Sequence, residues 1–586
     1  MRFSKLHRFI LVISYQLFYM RYFIFIIIST IFLVAFKNEE KSYPTDDFRS
    51  PISFPIKLSG TFAELRPNHF HGGLDIKPSA RGKQGDAILA IDEGYISRIL
   101  VSANGYGNAL YVTHPNGYTS VYAHLQKFTP AITEYVKKRQ YANQSFEFDE
   151  RVGAMVFPVF KGDQIAYLGN TGGSLGAHLH FEIRDTKTDI PINPLYFGFD
   201  ISDDKKPFLQ QLKIYELNHN HETTNVKTYN IRNVNNQNQI QPIILEISSN
   251  RMAIGIKAYD NISGTSNANG IFSMDIYQDD SLIYRFEMEK VAYNETRYLN
   301  AHLDYGAWFN KEGYFNRGYR LKGNYLGIYN YLANDGVINL SNNPSQIRVI
   351  TRDFKGNESE LQFQVKRAEK LNTGNGNIFN YFFPYNEASI VKRSDLELHF
   401  PDSSFYENIY ANIQIANDNS DYAFSPTYQI HDEKIPVHQL YKIKLKLQRS
   451  IDEDLKSKLY IGKCKNGQNS FIGNKWEGEW LTAKTRSFGD YAILLDTISP
   501  TITAIDFEGE ARPSRLLGFK LSDKGTGIKT YNAWIDGEWI LMKYDGKRNV
   551  IYHEFEERIT KGKHQLIIIV TDLSNNQKTF EGLFIR

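Results

Sequence analysis

Short apolar runs, separated by glycine, asparagine and proline, make up most of the chain from about residue 42 to residue 200. Runs of this length that are bounded by turn residues predict β-strands. Three of them stand close together: Ala87–Ile91, Gly94–Val101 and Ala109–His114. The step Pro115–Gly117 predicts a hairpin turn before a returning strand at Thr119–His124, because Asn-Gly accepts a positive φ angle. The pattern predicts a compact β unit over 42–200, with a helical insertion at 133–155.

Beyond residue 200 the predicted strands are rich in tyrosine and asparagine, and one pattern occurs twice. Ala253–Gly264 resembles Leu517–Gly527, and a strand pair follows each of them. Both blocks close on a strand that ends in aspartate, at Asp353 and at Asp572. Strand, Asp/Gly turn, strand and closing strand in this order are typical of a small β-sandwich.

The segments that lead into the two blocks also match, because Asp203 and Asp496 each lie four residues before a proline. We therefore predict Ig-like β-sandwiches at 201–367 and 498–586, with another β-rich domain at 368–497 between them. The predicted fold class is mainly β.

The first 41 residues differ from the rest of the chain in composition. Arg21 is the only formal charge within residues 9–36, basic residues precede this run, and a polar stretch follows it. A basic flank, an apolar run and a polar stretch in this order predict a signal peptide or membrane anchor over 1–41. The expected location is the periplasm or cell envelope, with 9–36 as the anchoring segment. Whether this segment is cleaved stays open.

Composition narrows the classes of function. Charged residues make up 23% and hydrophobic residues 42% of the 586 residues, which excludes wholesale disorder and a polytopic membrane protein. Lys and Arg total 68 against 65 for Asp and Glu, so the chain lacks the excess of basic residues that is typical of nucleic-acid binding. Cys464 is the only cysteine, which excludes intrachain disulfides and zinc sites built from several cysteines.

Two histidine motifs in the 42–200 unit have the spacing of a metal site. His71 and Asp75 lie four residues apart around two glycines, and His178 and His180 lie on the same face of a predicted strand. A catalytic zinc ion takes three protein ligands and leaves a fourth position for water. His71, Asp75 and one histidine of the second pair meet that requirement. The other histidine is then placed as a general base, and the residues alone leave open which one binds the metal.

A further imidazole lies at the end of a predicted strand in Val121–Leu125. His124 is suited to hydrogen-bond the oxyanion of a tetrahedral intermediate. Each motif by itself also fits ordinary surface or core histidines, but their occurrence together in one unit favours a site. His69, His114 and His302 have no such grouping and are expected to be structural.

Residues 62–198 resemble the zinc metallopeptidases of family M23, also called LytM or lysostaphin-type endopeptidases. The family pattern contains His-x-x-x-Asp, then Tyr-Ala-His-Leu, then a glycine-rich loop that leads into His-Leu-His-Phe-Glu. It matches His71–Asp75, Tyr122–Leu125 and Gly169–Glu182. The stretch between His124 and the Gly169 loop is longer than in the family, and the insertion at 133–155 accounts for the surplus.

The resemblance implies an antiparallel β metallopeptidase domain that holds one Zn²⁺ ion. It implies that His71, Asp75 and His180 are the metal ligands. It also implies that His178 and His124 are the catalytic pair, with His178 as the base.

The same resemblance implies a substrate among the peptides of peptidoglycan, as cross-links or stem peptides. The alternative is a non-catalytic scaffold or regulator of the envelope that keeps an M23-like fold. The C-terminal β domains are expected to contact other envelope proteins, and their aromatic residues are expected to fill cores rather than to stack on sugars. The bond that is cleaved and the oligomeric state stay open.

Overall fold

The computed structural model describes residues 43–369, 379–416, 423–505, 507 and 516–586. The predicted signal peptide or anchor over 1–41 lies outside these residues. Among the described residues, no helix has both the length and the apolar character needed to cross a membrane. The described part of the chain is mainly β, as predicted.

The first domain is built around one large antiparallel sheet. Its strands are β1 Leu58–Gly60, β2 Leu65–Arg66, β3 His69–Phe70, β4 Leu74–Ile76, β5 Ala87–Leu89, β6 Gly94–Val101, β7 Ala109–Thr113, β8 Tyr118–Ala123, β9 Lys127–Phe128, β10 Phe148–Arg151, β11 Pro158–Val159, β12 Gln164–Tyr167, β13 Leu179–Asp185 and β14 Pro191–Ile192. The sheet runs in the order β1-β4-β13-β8-β7-β6-β10, with β14 on β13 and β11 on β6. A small sheet β5-β12-β9 and the hairpin β2-β3 complete the domain.

The central strand β13 shows why this sheet positions a site. Because side chains alternate in a strand, Leu179, Phe181 and Ile183 point to one face, where all three are fully buried. The residues between them point to the opposite face and are all polar: His180, Glu182 and Arg184. These three are also buried, so the polar face of the sheet must satisfy them with partners from other segments.

The insertion contains the helix α1 Pro130–Asn143, which begins with proline at its first turn and ends at Gln144 in the left-handed conformation. The helix begins three residues before the predicted segment 133–155 and ends well before residue 155. The rest of that segment contains β10, which pairs with β6. The helix contacts the C-terminal domain. The Tyr141 hydroxyl donates to Glu556 at 3.0 Å, and its ring meets that of Trp539 with centroids 5.3 Å apart.

The second segment forms two sheets, β16-β15-β20-β23 with β25 on β20, and β17-β18-β27-β26-β21-β22-β24 with β19 on β27. Its strands are β15 Phe208–Leu217, β16 Thr223–Asn230, β17 Arg232–Val234, β18 Gln237–Gln239, β19 Ile244–Ile247, β20 Arg251–Tyr259, β21 Ser273–Gln278, β22 Ser281–Glu287, β23 Asn316–Arg317, β24 Tyr329–Leu332, β25 Ile338–Asn339, β26 Ser345–Arg352 and β27 Glu358–Arg367. Two short helices, α2 Leu299–His302 and α3 Tyr305–Phe309, lie between β22 and β23.

The last two segments each consist of facing sheets with a shared core. The third segment holds β28 Tyr381–Phe383, β29 Ser389–Lys392, β30 Leu396–Phe400, β31 Ile409–Ala411, β32 Ile413–Ile415, β33 Tyr428–Ile430, β34 Pro436–Lys446, β35 Leu459–Lys465, β36 Gln468–Gly473, β37 Lys475–Glu477, β38 Trp480–Ser487 and β39 Gly489–Leu495. The fourth holds β40 Thr501–Ala504, β41 Leu516–Ser522, β42 Ile528–Ile535, β43 Glu538–Trp539, β44 Lys543–Asp545, β45 Val550–Glu554, β46 Lys563–Asp572 and β47 Gln577–Ile585. Short 3₁₀ turns lie at Pro194–Phe197, Thr296–Tyr298, Asn334–Gly336 and Glu453–Lys458.

Aromatic side chains fill these cores. In the third segment Tyr428, Tyr441 and Tyr491 are fully buried and lie in one hydrophobic cluster that includes residues from both main sheets. The predicted domain limits stay predictions, and each sheet of the structure lies within a single predicted segment.

Candidate metal centre

The three predicted metal ligands lie close together beside β13. His180 lies directly opposite Asp75 in the β13–β4 pair, and His71 lies at the turn just before β4. The Nε2 atom of His71 is 2.9 Å from Asp75 Oδ1 and 2.9 Å from His180 Nδ1, and the last two atoms are 3.0 Å apart. All three residues are buried. The structure thus places His71, Asp75 and His180 in one cluster.

The hydrogen bonds behind the cluster decide which atoms face its centre. His71 donates its Nδ1 proton to the carbonyl of Thr61 at 2.7 Å, which leaves a lone pair on Nε2. His180 donates its Nε2 proton to Glu182 Oε1 at 2.8 Å, which leaves a lone pair on Nδ1. When both histidines are neutral, two imidazole lone pairs and a carboxylate oxygen therefore point at one another, an arrangement that needs a proton or a metal ion between them.

The donor set and the spacing both fit a zinc ion. Zinc binds imidazole nitrogen and carboxylate oxygen at about 2.0–2.2 Å, so ligand atoms in a tetrahedral site lie about 3.4 Å apart. The observed separations of 2.9–3.0 Å need to widen by only about 0.4–0.5 Å to reach that value. Of the described residues, His71, Asp75 and His180 are thus able to hold a metal ion.

The pKa values of the three clustered residues are shifted by burial and by the charges of their neighbours. Burial lowers the pKa of His71 to about 4. Burial opposes charge on His180 as well, but hydrogen bonds to the carboxylates of Asp75 and Glu182 outweigh it and raise the pKa of His180 to about 9. Asp75 is buried too, yet the neighbouring histidines hold its pKa well below the usual range. A proton on His180 then supplies the positive charge that a metal ion would supply, and metal binding must release it.

The two predicted catalytic histidines lie beside the cluster. His178 Nε2 is 3.3 Å from Asp75 Oδ1, and the rings of His124 and His178 have centroids 4.8 Å apart. His178 Nδ1 donates to the carbonyl of Gly176 at 2.9 Å, and His124 Nδ1 donates to the carbonyl of Thr171 at 2.9 Å. A carbonyl only accepts, so the neutral form of each histidine has its lone pair on Nε2.

The backbone holds His124 in an unusual conformation. His124 has a φ of 59°, which a residue with a side chain seldom adopts and which tends to occur at functional sites. The loop that carries Thr171 passes very close to it at Gly169, where a Cβ atom would lie 2.2 Å from the nitrogen of Gln126. A glycine is therefore required at position 169 for the loop and the strand end to meet.

A buried polar network lies behind His180. Besides His180, Glu182 accepts hydrogen bonds from Arg184 at 2.7 Å, from the Tyr106 hydroxyl at 2.6 Å and from the Tyr293 hydroxyl at 2.8 Å. Glu182 is fully buried, and Arg184 and these hydroxyl groups hold its charge there. Tyr293 belongs to the second segment, so that segment helps to orient His180 through Glu182.

Sequence analysis missed the roles of Glu182, Arg184, Tyr106 and Tyr293. For Glu182 and Arg184 the alternation along β13 was a usable signal, since both share the face of His180. Nothing in the sequence pointed to Tyr106 or Tyr293.

The histidines expected to be structural lie apart from the cluster. His69 is exposed and donates to the carbonyl of Pro67 at 2.8 Å. His114 is buried and contacts the carbonyl of Glu93 and the hydroxyl of Ser120. His302 is fully buried within the second segment.

Comparisons with known proteins agree with the motifs. Residues 69–145 match the sequence model of peptidase family M23, and residues 380–496 match that of a Zu5-like domain. The first match includes His71, Asp75 and His124 and ends just after α1, before His178 and His180. The inserted segment thus interrupts the family pattern between its two halves.

Three relatives share about 30% identity over short stretches. An uncharacterized metalloprotease of Haemophilus influenzae is 30% identical over 145 residues, which is 23% of this chain and 24% of the relative. The DD-carboxypeptidase/endopeptidase Mpg of Neisseria meningitidis is 30% identical over 125 residues, 21% of this chain and 22% of that protein. The murein hydrolase activator NlpD of Escherichia coli is 31% identical over 125 residues, 21% and 25% of the two chains.

The chain thus spans about a quarter of the length of the curated relatives it matches. Among solved structures, the catalytic domain of lysostaphin from Staphylococcus simulans aligns with 25% of this chain and 93% of its own, at 22% identity and a TM-score of 0.19. The match to the family's sequence model, together with the motifs, identifies the domain. The chain thus contains, at residues 69–145, a domain that matches the model of peptidase family M23.

Proposed function

We propose that the protein is a zinc-dependent endopeptidase that hydrolyses peptides of peptidoglycan in the cell envelope. The principal support is the convergence of His71, Asp75 and His180, with their lone pairs turned to one point and two further histidines beside them. Similarity to an endopeptidase and to an activator of murein hydrolases favours cell-wall peptides as the substrate class.

His71, Asp75 and His180 would hold the zinc ion, which when bound supplies a Lewis acid for the scissile carbonyl and lowers the pKa of water. His178 accepts a proton from the attacking water at Nε2, because its Nδ1 proton is already donated to Gly176. The imidazolium that forms lies 3.3 Å from Asp75 Oδ1, which favours its positive charge. His178 then passes the proton to the leaving amine.

His124 has a role that depends on its protonation. Burial lowers the pKa of His124 to about 3, so in the free protein its Nε2 atom is an acceptor. It can donate to an oxyanion only as imidazolium, and negative charge developing beside it would favour that form. We therefore assign oxyanion stabilisation to protonated His124 and general-base catalysis to His178.

The test is cleavage of purified cell-wall sacculi by the zinc-loaded chain. We expect His180→Ala and Asp75→Ala to abolish release of muropeptide fragments and to lower bound zinc below one ion per chain. His69→Ala is the matched control, because His69 lies two residues from His71 yet is exposed and outside the cluster. Undiminished release by His180→Ala would refute the assignment, and mass spectrometry of the fragments would identify the bond that is cut.

A second candidate is a non-catalytic regulator of wall hydrolases, which the similarity to NlpD favours. The two candidates differ in turnover. A zinc-loaded chain that releases no fragments by itself but increases release by an added murein hydrolase would support the regulator and reject the endopeptidase.

A further inference from the structure

Two clusters of three aspartates lie outside the M23 domain, one in each copy of the repeated sequence pattern. The first consists of Asp203, Asp260 and Asp353, and the second of Asp496, Asp523 and Asp572. In each cluster a carboxylate oxygen from every member lies within 4.8 Å of the others. We name them the first and the second aspartate cluster.

The clusters occupy equivalent places in their sandwiches. Asp203 and Asp496 lie in the segments that enter the two sandwiches. Asp260 follows β20 and Asp523 follows β41, the strands that carry the repeated pattern. Asp353 follows β26 and Asp572 ends β46, the strands that precede the last strand of each sandwich.

The hydrogen bonds around the entry aspartates also correspond. Asp203 accepts from the backbone nitrogen and hydroxyl of Ser263 at 3.0 and 3.2 Å, and Asp496 accepts from the same two groups of Thr526, both at 2.8 Å. Ser263 and Thr526 each lie three residues after the middle aspartate of their cluster.

The closing aspartates are held in the same way. Asn357 donates its backbone and side-chain nitrogens to Asp353, and its side chain also donates to the carbonyl of Asp203 at 3.2 Å. Asn576 makes the same three contacts with Asp572 and with the carbonyl of Asp496, the last at 3.0 Å. Two distant parts of the chain thus build one arrangement of carboxylates twice.

The middle aspartate of each cluster has an oxygen that nothing satisfies. Oδ1 of Asp260 and Oδ1 of Asp523 are both buried, and neither has a hydrogen-bond partner among the described residues. Asp260 as a whole is only 4% exposed. A buried carboxylate oxygen without a partner is costly in a folded protein, so a cation or an equivalent donor is expected at such a point.

The clusters carry more negative than positive charge, since Lys205 opposes the charge of the first cluster without pairing with it. In the described parts of the chain, none of the six aspartates forms a salt bridge with lysine, arginine or histidine. Burial, reinforced by the charges of Asp203 and Asp353, raises the pKa of Asp260 to about 7. Burial likewise raises the pKa of Asp523. A divalent cation would neutralise most of the charge and bind the free oxygens.

We propose that each aspartate cluster binds a calcium ion and thereby fixes the segment that enters its sandwich. An all-oxygen set is what Ca²⁺ and Mg²⁺ prefer, whereas zinc prefers nitrogen and sulfur. Calcium accepts irregular sets of carboxylate and carbonyl oxygens at about 2.3–2.6 Å, so three carboxylates this close together can share one ion. Mg²⁺ requires near-ideal octahedral geometry and usually keeps several waters rather than entering a site built only from protein groups, which favours calcium.

The test is calorimetric titration of the zinc-loaded full chain with CaCl₂, up to about 5 mM, the weak end of protein calcium sites. We expect two ions per wild-type chain, one for Asp260→Asn, one for Asp523→Asn and none for the double variant. Asp280→Asn is the matched control, because Asp280 is an exposed aspartate in a hairpin turn of the first sandwich. His180→Ala should still bind two ions, which separates this proposal from the proposed zinc site.

Thermal unfolding separates a ligand role from a purely structural one. Saturating Ca²⁺ should raise the Tm of the wild type by several degrees and leave the double variant unmoved. Without Ca²⁺ the double variant should melt no lower than the wild type, because each substitution removes one repelling charge. Absence of binding and of any Tm shift at about 5 mM Ca²⁺, or wild-type stoichiometry in the double variant, would overturn the proposal. Tighter binding of MgCl₂ than of CaCl₂ would overturn the choice of calcium.

Discussion

Glu182 is expected to control metal affinity although it does not touch the metal position. It is fully buried and accepts the proton of His180 Nε2 at 2.8 Å, which keeps Nδ1 free to face Asp75. We predict that Glu182→Gln weakens zinc binding by about 10- to 100-fold, or about 1.4–2.7 kcal/mol, the usual effect of removing a carboxylate behind a ligating histidine.

The structure indicates why glutamine is a poor replacement. Glu182 accepts from four donors, on His180, Arg184, Tyr106 and Tyr293. Glutamine has one acceptor oxygen, and its amide group would face one of these donors. The guanidinium of Arg184 keeps its bonds to Asp189 and to the Tyr293 hydroxyl, both at 3.0 Å, and to the Tyr106 hydroxyl at 3.3 Å. It loses the buried carboxylate that pairs with its charge, so the variant is also expected to lose about 3 kcal/mol of stability.

The assay is competition for zinc between the protein and a chelating dye, below the unfolding transition and with far-UV circular dichroism as the check of folding. Glu93→Gln is the matched control, because Glu93 is exposed and lies in the same domain. Should a folded Glu182→Gln bind zinc as tightly as the wild type, the orienting role of Glu182 would be wrong.

Two further predictions concern substrate binding and pH. Leu175 is completely exposed in the glycine-rich loop beside His178, where an apolar side chain can contact a bound substrate. We expect Leu175→Ser to raise KM up to about tenfold, with Tm and kcat unchanged. A KM equal to that of the wild type would exclude a substrate contact. Burial lowers the pKa of His302 to about 4. Below about pH 6.5 the unfolded chain therefore binds a proton that the folded chain does not, and the free energy of unfolding decreases as the pH falls. The free energy of unfolding by denaturant is compared at pH 7 and at pH 5. Its decrease on acidification should be about 2 kcal/mol smaller for His302→Phe than for the wild type, and equal decreases would contradict this.

The sequence was sufficient to single out four of the residues that the structure brings together, because the spacing within each pair is local. His71 and Asp75 share one turn, and His178 and His180 share one strand face, so motif and alternation identify them. The orientation of the rings was not predictable, because it depends on carbonyls such as those of Thr61 and Thr171 that meet the histidines only in the fold.

Helix α1 illustrates a different limit. Helix-forming residues were recognised within 133–155. The helix starts at Pro130 and ends at Asn143, however, because of the backbone conformation at those points, including the left-handed Gln144 that follows. The aspartate clusters show a third limit. The repeated pattern was recognised from sequence, yet nothing in it indicated that Asp203 and Asp353 approach Asp260, since 150 residues of chain separate the two outer members.

The contacts between domains imply that the M23 domain does not act as an isolated module. Tyr293 of the second segment donates to Glu182, and the side chain of α1 residue Tyr141 contacts Glu556 of the last segment. Lys547 of that segment also donates to the side chain of Asn170 at 2.9 Å, in the glycine-rich loop that carries Thr171, the partner of His124. Because both the proposed metal ligand His180 and the loop of Thr171 are supported from outside 42–200, the geometry of the proposed site depends on where the C-terminal segments are held. An ion that fixes the segment entering each sandwich would therefore act on the same geometry from a distance.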